Sequence, residues 1–403
     1  MELFWLEHKK LWRKKIVKIC VLLCFVYCVI FGSILSFQWF CFGSSDDYTS
    51  AFGNNFDGYT VIKDSQEYAL SFGGELTDET LQQIVSDYQQ MEADGMEKEL
   101  EKTDWQIVNS WLGTLYPELR DTSNYKTMIS YVDPDKLTGF YERRQQVLDE
   151  FLEVSGQVGA EKEYLHQIDG KVEKPFHYEW VEGWSMLLGS MVADLGVVMA
   201  LFLGIVLSSL FAGEWHDNTS TLVLTTRNGW GKIALAKILT GLAFTVELFA
   251  LLAVSSVISQ LFFMGTAGWD MPIQNIKLIA VVPMNMLQAE IYEYAFVLLG
   301  AIGFAGIVMF ISAAVKNNVL TLLLSLAVVY GPMMIAEYLP YKMQKALDLI
   351  PLVGSSTDIF RTNTFRIFGK LIWSPYLLIT IPVLIGILCM PFAIKSWSRR
   401  MKA

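Results

Sequence analysis

The side chains best suited to chemistry lie in one short stretch, residues 211–237, between two long apolar runs. The runs cover residues 187–210 and 238–264, and each can cross a hydrocarbon core of about 30 Å as a helix. The polar and charged residues between them include Glu214, Asp217, Thr219, Thr225, Arg227 and Lys232. The pattern predicts a short amphipathic loop that joins two membrane helices and can make ionic and hydrogen-bonded contacts.

Two further carboxylates interrupt the apolar runs, Asp194 in the first and Glu247 in the second. An ionisable group in a spanning helix is costly and usually faces a protein interior, a partner or water. Each residue could therefore serve permeation or gating, or it could make a packing hydrogen bond or a subunit contact. We favour the second interpretation for both intramembrane polar residues.

Motifs of catalysis are missing from the sequence. The four histidines, at positions 8, 166, 177 and 216, form neither HExxH nor another close ligand spacing, and GxSxG does not occur. The nucleotide-binding pattern GxxxxGK[ST] is also missing, since Gly231-Lys232 lacks the upstream glycine and the following Ser or Thr. We expect no enzyme activity, no cofactor, no metal and no nucleic-acid binding on this chain.

Composition excludes a soluble globular protein and indicates a polytopic membrane protein. Of 403 residues, 53% are hydrophobic and 18% are charged. The net charge of −10 is uneven, because residues 41–183 hold 29 acidic and 11 basic side chains while the rest holds 12 and 20. Residues 42–183 contain no cysteine and therefore no disulfide framework. Cys20, Cys24 and Cys28 are expected to pack as small apolar side chains.

The apolar runs predict a mainly α fold with six spans and a mostly helical extracytoplasmic domain between spans one and two. Residues 1–15 alternate aromatic and aliphatic side chains with Lys and Arg, which predicts a cytoplasmic interfacial helix. A cleaved signal peptide is disfavoured because the run that follows is about twice a normal apolar region. The predicted spans are 16–42, 184–212, 233–265, 294–315, 319–336 and 373–394. The other segments are the domain at 43–183, a loop at 213–232, an extracytoplasmic loop at 337–372 that could re-enter the bilayer, and a tail at 395–403.

Positive charge places both ends of the chain in the cytoplasm of a cell-membrane protein. The first 18 residues hold six basic and two acidic side chains, and residues 395–403 hold four basic and no acidic ones. The loop at 213–232 is then inside and the acidic domain outside. The loop at 337–372 opposes this arrangement with five basic and three acidic residues, but both termini and the even number of spans outweigh it.

Local patterns predict helices inside the acidic domain and a close helix contact in the fourth span. Residues 80–91 place Leu81, Ile84, Val85 and Tyr88 on one face after a candidate N-cap, Thr77. Residues 137–154 do the same with Phe140, Val147, Leu148 and Phe151. Gly300, Gly303 and Gly306 permit close approach of another helix. The charge runs are interpreted as solvated helix faces, with a surface that attracts cations or cationic peptides as the alternative.

Several stretches follow one known layout in order and spacing. They are the basic residues 1–15, Phe211-Ala212-Gly213-Glu214, Thr219, Leu222-Val223-Leu224, Thr225-Thr226-Arg227, Gly231-Lys232, Ala236-Lys237-Ile238, residues 311–317 and residues 365–370. In this respect the chain resembles the bacterial permease subunits of ABC type 2 exporters. It departs from them at Thr226-Arg227, where relatives often have a proline.

The resemblance implies a dimer of six-span subunits, identical or homologous, each docked on a separate ABC ATPase subunit that binds ATP and Mg. In that family the loop between spans two and three holds a coupling helix. The resemblance therefore implies that the contacts or hinges toward the ATPase are Glu214, Thr219, Leu222, Thr225, Arg227 and Lys232. A large domain after span one resembles the layout of relatives that export sodium or lipids, or that act on antimicrobial peptides.

Three functions remain open from the sequence. The leading one is ATP-driven export of an amphipathic peptide, lipid or drug. Efflux of sodium or another cation is the second, prompted by Asp194, Glu247 and the acidic domain. The third is a membrane sensor that relays binding at the acidic domain to a cytoplasmic partner.

Overall fold

A computed structural model shows a mainly helical chain whose long helices carry a smaller helical body at one end. It describes residues 2–42, 63, 66–67, 69–70, 73–95, 105–121, 123, 126–217, 231–354, 360 and 363–399, with the backbone alone for 31–42, 106, 190–193, 341 and 399. Within this part, five helices are long and apolar enough to cross a membrane. The chain is therefore a multi-pass membrane protein.

The elements alternate between long apolar helices and shorter amphipathic ones. In chain order the helices are α1 (Glu2–Arg13), α2 (Lys15–Phe42), α3 (Asp78–Ala93), α4 (Trp105–Leu115), α5 (Phe140–Val154), α6 (Ala160–Asp169), α7 (Glu182–Met186), α8 (Val192–His216), α9 (Lys232–Met264), α10 (Met286–Ala314), α11 (Asn318–Ala336), α12 (Tyr341–Leu347) and α13 (Ser374–Arg399). Two antiparallel pairs add β1 (Gly74–Glu75) with β2 (His177–Tyr178), and β3 (Thr364–Ile367) with β4 (Lys370–Trp373). The five candidate spans lie in α8, α9, α10, α11 and α13.

Two helix boundaries differ from the sequence prediction. The predicted span 184–212 is broken at Gly189, whose φ of −92° and ψ of −106° are not helical, and α8 then continues to His216. Helix α10 begins at Met286 rather than at 294 because Asn285 caps it. The Asn285 side chain accepts from Gln288 N at 2.8 Å, and the Gln288 side chain accepts from Asn285 N at 3.2 Å. This capping box satisfies two backbone N–H groups of the first turn.

Helices α10 and α13 approach each other through glycine. A Cβ atom on Gly306 would lie 2.4 Å from the Gly386 carbonyl oxygen, and one on Gly386 would lie 2.5 Å from Gly303 Cα. No side chain fits at such distances, so the backbones are in direct contact. The predicted close contact at Gly303 and Gly306 is confirmed.

Helices α3–α6, the α9–α10 connection at 265–285 and the β3–β4 hairpin share one core, and we call this body the head. Trp111 Nε1 donates to the Asn275 carbonyl at 2.8 Å, which ties α4 to the connection. Arg366 pairs with Glu161 at 2.8 Å, which ties the hairpin to α6. The loop predicted at 337–372 thus contributes a hairpin to the same body as the acidic domain.

Candidate functional site

A buried ionic network joins three helices at the end of the bundle opposite the head. Lys237 of α9 is 1% exposed, and its Nζ lies 2.8 Å from Glu214 Oε1 of α8 and 2.7 Å from Glu7 Oε2 of α1. Lys10 Nζ lies 2.6 Å from the same Glu214 oxygen. We call the region of this network the basal layer: α1, the end of α8, the start of α9 and the ends of α10 and α13.

The sequence positions these groups through helix periodicity. Glu7, Lys10 and Leu11 occur at intervals of three and four residues, so they share one face of α1. Leu11 is buried on that face, while Trp5 and Leu6 are exposed. Burying one apolar side chain there brings both charged groups of α1 against α8 and α9.

The surroundings of the network shift the pKa values of Lys10 and Lys14 in opposite directions. Burial alone would lower the pKa of Lys10, but its hydrogen bond to Glu214 and the charges of Glu214 and Glu7 raise that pKa above its ordinary value. Burial, followed by the nearby charges of Lys237 and Lys10, lowers the pKa of Lys14. Lys14 has no carboxylate at ion-pair distance among the described residues, and its Nζ donates to Ser209 Oγ at 3.0 Å. Lys10 therefore belongs to the ionic network, whereas Lys14 lies beside the network and is hydrogen-bonded to α8.

The contact between α1 and α9 extends further along α9 to Glu247. Trp12 Nε1 donates to Glu247 Oε2 at 3.0 Å, and His8 Nε2 lies 3.2 Å from Glu247 Oε1. The Trp12 ring also packs edge-on against Phe244 at 5.8 Å between centroids. Glu247 thus makes packing hydrogen bonds that fix α1 along α9.

Asp194 occupies a different environment from Glu247. It is exposed at the first residue of the apolar part of α8, and it interacts with the hydroxyl of Tyr27 on α2. Its position at a helix end avoids the full cost of a carboxylate at mid-span.

The ends of α10 and α13 complete the basal layer. The Ser312 hydroxyl donates to the Ser208 carbonyl at 2.7 Å and accepts from Phe211 N and Ala212 N, both at 3.1 Å. It therefore bonds to the backbone of α8 two to six residues before Glu214. Trp397 of α13 packs against Phe211 with 5.5 Å between ring centroids.

The sequence-predicted site residues are only partly placed by the structure. Glu214 lies inside the network, and Lys232 is exposed at the first residue of α9. Thr219, Leu222, Thr225 and Arg227 lie outside the described residues. Sequence reasoning assigned no charge partners to Glu7, Lys10 and Lys237. The opposite charges at 214 and 237, on either side of the loop, were the available signal.

The arrangement can transmit movement from the loop to the helices. Residues 218–230 connect Glu214 and Lys237 along the chain, and the ion pair connects them in space. A force on the loop would move the ends of α8 and α9 together with α1.

Comparison of the chain with protein-family models, with curated proteins and with solved structures finds no match.

Proposed function

We propose that this chain is the permease subunit of an ATP-driven ABC type 2 exporter that moves an amphipathic peptide, lipid or drug outward. The observation that carries the proposal is the buried network of Lys237, Glu214 and Glu7. It joins an amphipathic helix to the two long helices that flank the loop of residues 218–230. A subunit driven by a separate ATPase needs such a connection between its docking loop and its spans.

The proposed arrangement has six spans. Helix α2 is 28 residues long, or about 42 Å at 1.5 Å per residue. It would add one span, the first in chain order, to the five candidate spans. With both termini in the cytoplasm of a cell-membrane protein, the basal layer faces the cytoplasm and the head lies outside. The link between Arg366 and Glu161 supports an outside position for the hairpin, despite the basic residues of that loop.

Energy and partners follow from this assignment. ATP and Mg bind to a separate ABC ATPase subunit, which docks on the loop. The contacts or hinges toward it are Glu214, Thr219, Leu222, Thr225, Arg227 and Lys232, and the buried Glu214 acts as a hinge. A second permease chain, identical or homologous, completes the transporter in the bilayer. This chain carries no cofactor of its own.

The test is to purify the full chain from membranes together with the products of its neighbouring genes. We expect an ABC ATPase to co-purify, and the reconstituted complex to hydrolyse ATP faster in the presence of its substrate. Glu214→Gln and Arg227→Ala should each reduce that stimulation about 10-fold, which corresponds to about 1.4 kcal/mol of lost coupling.

Glu337→Gln is the matched control, because Glu337 is exposed at the end of α11 remote from the basal layer. It should leave the stimulation unchanged. Co-purification of a kinase in place of an ATPase would contradict the proposal and support a sensor. Unchanged stimulation in both Glu214→Gln and Arg227→Ala would contradict the role assigned to these two residues, but not the assignment of the chain as an exporter subunit.

A further inference from the structure

Helix α10 buries a carboxylate that forms no ion pair among the described residues. Glu290 lies on the second turn and is 3% exposed; it interacts with the Tyr294 hydroxyl, but neither of its oxygens makes a hydrogen bond of normal geometry in the described part of the chain. Glu293, three residues further, differs because its Oε1 lies 3.9 Å from Lys277 Nζ. An ionised carboxylate removed from water without a positive partner is strongly destabilising. A proton or a bound cation must therefore neutralise Glu290.

Polar groups from the facing helix α9 surround this position. The Tyr294 hydroxyl, one turn along α10, is hydrogen-bonded with Ser256 Oγ of α9 at 2.9 Å. Ser256 and Tyr294 each lie eight residues from the head end of their helices, as expected for an antiparallel pair. One turn closer to the head, Gln260 is therefore level with Glu290.

Gln260 is itself incompletely satisfied. It is 2% exposed, and its Nε2 has no hydrogen-bond partner in the described part of the chain. Two facing helices thus bring a carboxylate, an amide and two hydroxyls together within two adjacent helical turns. Each of the four side chains can offer an oxygen, since the amide of Gln260 presents either its oxygen or its nitrogen after rotation.

We propose that Glu290 is the anionic ligand of a site for one monovalent metal cation, completed by oxygens of Tyr294, Ser256 and Gln260. Carboxylate, hydroxyl and amide oxygens suit hard cations. A single carboxylate balances one positive charge, whereas calcium sites combine several carboxylates or carbonyls around a divalent ion. The depth of Glu290 also favours a small ion over an organic cation. The proposal is independent of ATP-driven export, because it concerns the head end of the bundle and not the basal layer.

The test uses the purified full chain in detergent, with choline chloride replaced by NaCl or KCl at constant ionic strength. Binding to the folded state alone should raise the Tm of the wild type by about 2–4 °C with the preferred ion. Equilibrium dialysis with radioactive sodium, or with rubidium in place of potassium, should give about one ion per chain. Glu290→Gln should lose both the Tm shift and the bound ion.

Two further variants separate a specific site from a general effect. Glu293→Gln removes the same charge three residues away and should keep the Tm shift. Tyr294→Phe removes one ligand oxygen and should weaken ion binding about 10-fold while the chain remains folded. A wild type without any response to either ion would overturn the site. An unchanged response in Glu290→Gln, or equal loss in Glu293→Gln, would overturn it as well.

Discussion

The head and the basal layer each bury a basic side chain against carboxylates, but they satisfy it differently. In the head, Arg144 is fully buried and binds Asp169 with two nitrogens, at 2.7 and 3.1 Å. It also donates to the carbonyls of Leu278 and Ala280 at 2.8 and 3.0 Å. In the basal layer, Lys237 is shared between Glu214 and Glu7, which belong to different helices.

The contrast follows from the geometry of the two cations. A guanidinium is a rigid planar fork, and Arg144 uses it to hold residues 278 and 280 against α5 and α6 in one arrangement. An ammonium is a rotatable point charge, and Lys237 can keep one carboxylate while its distance to the other changes. We infer that the head is built for fixed structure, while the basal layer can hold helices together as they shift.

The largest effect is expected for Arg144→Leu in the head. Removing the guanidinium leaves the buried Asp169 with Lys174, at 3.5 Å, as its remaining cation among the described residues. It also takes the donor from the Leu278 carbonyl, while the Ala280 carbonyl still accepts from Gln274 at 2.9 Å. The free energy of unfolding should fall by about 3–5 kcal/mol, measured by thermal or chemical unfolding in detergent. Lys126→Leu removes an exposed partner of Glu92 and should cost less than about 1 kcal/mol. A similar loss of unfolding free energy in both variants would show that the buried Arg144–Asp169 pair stabilises the head no more than the surface Lys126–Glu92 pair.

A smaller loss of stability is expected for Lys237→Met, because Lys10 still neutralises Glu214. Losing the charged hydrogen bonds should cost about 1.5–3 kcal/mol. The distinguishing result is local: hydrogen exchange in α1 should accelerate, while exchange in the head stays unchanged. Lys395→Met, at an exposed lysine near the end of α13, is the control and should leave α1 protected. Unaltered α1 protection in Lys237→Met would show that apolar packing alone holds α1.

The connection between the two regions is expected to depend on Gly306. A leucine there must displace the backbone of α13, so Gly306→Leu should cost about 1–3 kcal/mol and lower the yield of folded protein. Gly331→Leu, in α11, meets open space and serves as the control. Thermal unfolding and size-exclusion chromatography measure both. Equal yields of the two variants would mean that α10 and α13 can separate without cost.

The smallest effect is expected for Trp12→Phe. The ring contact with Phe244 is kept, and only the hydrogen bond from Nε1 to Glu247 is lost, so the cost should be about 0.5–1.5 kcal/mol. A modest increase in hydrogen exchange at the end of α1 would accompany it. Trp5→Phe changes an exposed side chain and should have no effect. Should Trp5→Phe match Trp12→Phe, the bond to Glu247 would not contribute to holding α1.

Local patterns in the sequence predicted the helices of the head with one instructive error. Leu81, Ile84, Val85 and Tyr88 are all buried on α3, and Thr77 caps it by accepting from Thr80 N at 3.2 Å. On α5, Phe140 and Leu148 are buried as expected, but Phe151 is 37% exposed. Arg144 is buried on that helix instead, because its acceptors at 278 and 280 lie far away in the sequence and no local pattern indicates them.

In the membrane helices too, local sequence patterns predicted some features and missed others. The stripe of Cys20, Cys24 and Cys28 is buried, as predicted. The predicted fourth span begins at 294 and therefore leaves Glu290 outside it, whereas α10 begins at Met286. The sequence did contain a signal for the earlier start, an Asn followed by Gln three residues later, which is a capping-box spacing.

The sequence by itself determined where the long apolar helices lie, which face of α1 is apolar, and that a charged loop separates α8 from α9. These features depend on periodicity and composition within a few helical turns. Only the tertiary structure decided that Lys237 meets Glu214 and Glu7, that Glu247 holds α1, and that Glu290 is buried without an ion pair among the described residues. The physical reason is that the cost of a buried charge depends on which groups the other helices bring to it, and that pairing is a property of the packed bundle.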